Sequence, residues 1–142
     1  MKRIIFIALS LLLLLVACTD YDHDVPDTPA NLAGFERHFG FVTPADVTGV
    51  YYFADELGAD VLYQLGFEAN PETVARIVSA LDLAQSEPPQ NGLGLAYDLS
   101  WWDEEAIQDA TLYWTSSDDQ AYWRMLWYNE DTHQIYYLEY SL

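Results

Sequence analysis

Lysine occurs once in this chain, at Lys2, and cysteine once, at Cys18. Lysine and arginine together number five against 23 aspartates and glutamates, for a formal net charge of −18. So few basic side chains exclude the clustered charge with which proteins hold nucleic acid or anionic headgroups. A lone cysteine forms no internal disulfide, so the fold must rest on its core. Histidine is scarce too: His23, His38 and His133 lack metal-ligand spacing, and no serine stands in a Gly-x-Ser-x-Gly elbow. No cofactor motif and no catalytic constellation is legible, so a non-enzymatic protein is expected. The longest apolar run, Ile4 to Ala17, falls short of the roughly 20 residues that cross a bilayer.

What that run does have is the form of a secretory signal: Lys2-Arg3, an apolar core, and a small residue, Ala17, before a cut. Leu15-Val16-Ala17-Cys18 resembles the lipobox of bacterial lipoproteins, with Cys18 at its invariant position. The resemblance implies that residues 1–17 are removed, that Cys18 carries a diacylglyceryl thioether, and that the new amino terminus is acylated. Two or more acyl chains hold a membrane stably where one is marginal. An ordinary signal peptide would leave Cys18 as an unpaired thiol, which lipidation explains. In Gram-negative lipoproteins an Asp after the cysteine favours retention at the inner membrane. Thr19 stands there, so the resemblance points to the outer membrane, facing the periplasm. In a host without one, the outer face of the cytoplasmic membrane is expected.

Loss of residues 1–17 removes Lys2 and Arg3 and leaves three arginines, Arg37, Arg76 and Arg124, against all 23 acidic residues. Cations, basic proteins and neutral ligands such as sugars are then the favoured partners. Acidity with few aromatics would suggest disorder. Here hydrophobic residues reach 51% and aromatic ones 15%, enough for a packed core. A single domain, residues 29–142, is expected behind an acidic tether, residues 18–28, whose residues 19–28 reach about 30 to 35 Å when extended. Asp20, Asp22 and Asp24 alternate as at the start of a calcium loop. The sixth and twelfth positions are Val25 and Asn31, not Gly and Glu, so a solvated tether is the better reading.

Thr28-Pro29 opens a short helix with Leu32, Phe35 and Phe39 on one face and Gly40 as its stop. Residues 47–57 and 60–69 read as strands around Gly58-Ala59. Asn70-Pro71 then starts a second helix, with Val74, Ile77, Val78 and Leu81 as its apolar stripe. Residues 85–95 break structure, and Asp103 can cap a brief helical turn. Residues 111–115, 121–128 and 134–141 form a three-stranded meander. The whole predicts an α+β fold: an antiparallel sheet of about five strands with one main helix on a face.

Aromatic residues crowd the last third of the chain, among them Trp101, Trp102, Trp123 and Trp127. On residues 121–128, Trp123, Met125 and Trp127 take one face, and Tyr122, Arg124, Leu126 and Tyr128 the other. With one main helix, the second face either exposes Trp and Tyr as a platform for a protein or sugar, or is covered by the first helix and the Pro-rich loop. Trp101, Trp102, Trp123, Trp127 and Arg124 are the candidate partner surface. Arg124 can pair with Glu139 on the neighbouring strand or anchor a ligand carboxylate. Asp55-Glu56, Asp103-Glu104-Glu105 and Asp118-Asp119 read as solvated ends; they are also the candidates for weak calcium binding or acid–base work.

Residues Phe39 to Val47, with their Pro44-x-x-Val47 entry, then Tyr51-Tyr52 and the strand and helix to Leu83, resemble small bacterial lipoproteins of unknown function. The resemblance covers roughly residues 35 to 83 and implies a fold, not catalytic residues. The expected function is a membrane-anchored envelope module that binds a protein or, alternatively, a glycan such as peptidoglycan. A hydrolase would need a deep cleft holding the carboxylates at 103–105 or 118–119.

Overall fold

Thr28 caps the first helix of the computed structural model, in which residues 23–58, 60–87 and 92–141 are described. Its Oγ1 accepts from the Asn31 N–H at 3.2 Å, and α1 runs Pro29–Phe39. Gly40 ends it at φ 75°, a left-handed conformation that costs glycine least. The signal, Cys18 and the start of the tether lie outside the described residues.

The remaining elements follow the expected order. They are β1 (Thr48–Leu57), β2 (Asp60–Glu68), α2 (Pro71–Ala80), a 3-10 turn (Gly92–Leu95), α3 (Glu104–Gln108), β3 (Thr111–Ser116), β4 (Tyr122–Tyr128) and β5 (Gln134–Ser141). The fold is α+β. Its sheet is β1-β2-β5-β4-β3, with every neighbouring pair antiparallel. The last strand takes the centre because residues 135–140 are apolar or aromatic almost without a break, and all six are buried. Such a run needs cover on both faces. That leaves β1 and β3 as the edges.

On one face Phe35 and Phe39 of α1, and Val74 and Ile77 of α2, pack against Leu65, Phe67, Leu126, Ile135 and Tyr137. The other face is covered as well. Leu99, Trp102 and Ile107 lie over Trp123, Met125, Trp127, Tyr136, Leu138 and Tyr140. Of the two alternatives, the face is covered and not an exposed platform; the cover is the mostly irregular 92–110 segment, while the first helix packs on the opposite face. Gln64, fully buried in β2, fastens this cover. Its side chain accepts from the Tyr97 N–H at 2.7 Å and donates to the Tyr97 carbonyl at 3.2 Å. Gly66 makes room for it, since a Cβ there would meet the Trp101 ring at 2.8 Å.

The tether is corrected at its far end. Asp27, at φ 58°, accepts from the N–H groups of Gly49 and Val50, and Asp24 accepts from the Ser100 hydroxyl at 2.8 Å. The His23 carbonyl accepts from Trp101 Nε1 at 2.8 Å. Residues 23–28 are thus seamed to the domain, because their backbone and carboxylates find donors on β1 and on the cover.

Candidate functional site

The chain leaves β2 through Asn70 and Pro71, and α2 then runs beside the β3–β4 hairpin. Asn70 holds the cap position but makes no side-chain cap bond. Asp46 braces this end of the helix from outside, accepting from the Asn70 N–H at 3.0 Å and the Thr73 hydroxyl at 3.1 Å. At the other end, Ala84 pairs with Trp114 through N–H···O bonds of 2.9 and 3.0 Å, drawing the chain onto the outer edge of β3.

Between these two anchors lies a groove of about 600 Å³. Val74, Val78, Leu83, Tyr113 and Tyr128 form its apolar walls, while Asp82 and Glu130 are its charged members. Among the described residues, none that lines it is basic. The Tyr128 hydroxyl lies 3.0 Å from His133 Nδ1, and burial, then Glu130, push its pKa up. The groove thus joins apolar walls with two carboxylates.

A second cluster sits under α1. His38 Nδ1 is 2.9 Å from Glu139 Oε2, and both side chains are 5% exposed. The Tyr137 and Tyr122 hydroxyls donate to the same carboxylate. Arg124 Nε lies 3.8 Å from Glu139 Oε1, so the expected Arg124–Glu139 pair forms, as an ion pair without a hydrogen bond from that nitrogen. His38 Nε2 faces the Tyr52 hydroxyl at 3.4 Å. Both ring nitrogens thus face protein groups, and the cluster ties α1 to the central strand. It was missed in the sequence because His38 and Glu139 are far apart and neither sits in a spaced motif.

The expected partner surface is not brought together on the outside. Trp123 is 1% exposed, and Trp102 and Trp127 are also buried. Trp101 is half-buried and stacks on Tyr51 at 5.4 Å. Arg124 is turned to the opposite face of β4, its guanidinium 5.3 Å from the Tyr122 ring centre. These tryptophans hold the domain together.

The carboxylate runs are taken up locally. Asp55 accepts from the Tyr97 hydroxyl and Glu56 from the Tyr63 hydroxyl. Burial and Glu56 push the Tyr63 pKa up to about 12. Asp103 caps α3 by accepting from the Glu105 and Ala106 N–H groups. Asp119 closes a turn with Ser117 and the Ala121 N–H, bonds that hold its pKa below the usual value. Asp98, Asp103 and Glu104 line a depression of about 610 Å³, but all three are exposed to solvent. Among the described residues, no group of three His, Cys, Asp or Glu side chains could hold a metal ion.

Comparison with known proteins finds no matching family model, no matching curated protein and no matching solved structure.

Proposed function

We propose that this chain is an exported, lipid-anchored, non-enzymatic module that binds a protein partner of the cell envelope through the groove between α2 and the β3–β4 hairpin. The observation that carries the reading is the groove itself: apolar walls from Val74, Val78, Tyr113 and Tyr128, with Asp82 and Glu130 as the charged side chains lining it among the described residues. Anchoring comes from the lipobox-like end at Cys18. The partner surface moves from the tryptophans to the groove, because a ligand cannot stack on rings that the domain's own cover already buries. The glycan alternative loses Trp102, Trp123 and Trp127 as platforms for the same reason, and keeps only the half-buried Trp101 of that set.

The test is in-cell photo-crosslinking of the lipidated full-length chain. A photoreactive side chain at Ala75 or Val78 is expected to capture one protein stoichiometrically. The same side chain at Val42, which is 76% exposed and outside the groove, is expected not to. Capture of cell-wall glycan alone, or equal capture from Val42, overturns the reading.

A further inference from the structure

Among the described residues, the outer edge of β3 is paired at Trp114, by Ala84, and unpaired at Leu112. In an antiparallel ladder, residues two apart direct both backbone groups to the same side. Trp114 turns its N–H and C=O outward to Ala84, so Leu112 turns its own outward as well. Among the described residues, none is hydrogen-bonded to those outward groups of Leu112. The adjacent Tyr113 lies on the groove side of the strand, with Val74 and Val78 of α2 across from it. An edge strand beside a helix, with a trough between them, is the geometry that accepts an added strand.

We propose that the groove takes a short extended segment of a protein partner, with basic residues alternating with apolar ones. The segment pairs with Leu112 at the outer edge of β3, past the point where the chain itself turns from that edge to the Trp114 side chain, whose Nε1 donates to the Ser86 carbonyl at 3.0 Å. Alternate side chains of a strand point to opposite sides. One set therefore enters the trough against Tyr113 and Tyr128, and the other stays in solvent. Charge selects the sign. Asp82 and Glu130 are the charged residues among the described residues that line the groove, His133 reaches it only through the Tyr128 hydroxyl, and three arginines stand against 23 acidic residues after residue 17. An acidic segment is repelled and a basic one is steered in. This rests on the reading that the groove is the partner site, and adds the partner's conformation and charge.

The test pans a displayed library of random peptides against the detergent-solubilised full-length chain. Enriched peptides are expected to alternate Lys or Arg with apolar residues, and their binding is expected to weaken as salt rises. Adding one such peptide should slow hydrogen exchange at the Leu112 amide. The charge variant Asp82→Asn/Glu130→Gln, which leaves the apolar walls intact, should weaken binding roughly tenfold, while Val42→Glu leaves it unchanged. Acidic or uncharged winners, no winners, or an unprotected Leu112 amide would overturn the proposal. Crosslinking from Val78 to a helical or acidic segment of a protein would sink this inference while leaving the broader partner reading intact.

Discussion

His38 Nδ1 lies 2.9 Å from Glu139 Oε2, joining residues 101 positions apart. The contact fixes the last turn of α1 to the middle of the sheet. The same carboxylate receives the hydroxyls of Tyr137 and Tyr122, so its removal strands several buried donors at once. Glu139→Ala is expected to cost about 3 to 5 kcal/mol in urea unfolding. A double-mutant cycle with His38→Ala should return a coupling of about 1 to 3 kcal/mol. Additive costs would make the contact incidental to stability.

Asp46 gives a prediction with a pH window. Burial alone would raise its pKa, but the bonds from Asn70 and Thr73 outweigh that and hold it below 3.8. A carboxylate depressed in the folded state contributes stability above its unfolded pKa and loses it as pH falls through the folded value. Asp46→Asn should therefore destabilise by about 1 kcal/mol at neutral pH, the usual net worth of a hydrogen bond. The gap between wild type and variant should close as pH drops below 3.8. A gap that stays constant with pH would show that Asp46 acts through shape alone.

The strands and helix starts were legible because each depends on local chemistry: Thr28 and Asp103 as caps, Gly40 as a stop, Val74 and Ile77 as a stripe. The covering layer was not. Residues 92–110 have little periodicity, and what holds them is non-local: the Gln64 side chain on the Tyr97 backbone and Trp101 over Gly66. A polar residue and a glycine within a strand gave no warning that they marked a docked segment. The same non-locality hid the candidate site, since Val78, Leu83, Tyr113 and Glu130 converge only once β5 has entered the sheet centre. Asn70 shows the limit of local rules from the other side. It occupies the cap position its residue type favours, yet its side chain makes no cap bond, and its own N–H is taken by Asp46.

Gly66 tests the covering layer directly. Its missing Cβ is the space in which the Trp101 ring sits, with ring atoms at 2.8 and 3.1 Å from the ideal Cβ position. Gly66→Ala forces a rigid ring to shift and is expected to cost about 1 to 3 kcal/mol, as overpacking does. Trp101→Ala should cost stability alone yet relieve the clash, so the double variant should be less unstable than the two costs added. A strictly additive double variant would mean that Trp101 does not rest on β2 in solution.

Cys18 carries the anchoring half of the proposed function, and the seam at residues 23–28 sharpens what anchoring does. With His23 already bonded to Trp101, covalent geometry lets the chain span at most about 17 Å between Cys18 and the domain. The domain would then ride close to the bilayer, well inside the reach expected of a free tether. Two measurements follow. The wild-type chain should incorporate a labelled fatty acid and fractionate with membranes, while Cys18→Ser should do neither. The contacts that seam the chain to the domain begin at His23, and the substitution should leave the unfolding midpoint of the domain unchanged. A wild-type chain that takes up no fatty acid, or a Cys18→Ser chain that stays in the membrane fraction through washing with high salt, would remove the lipid anchor from the reading.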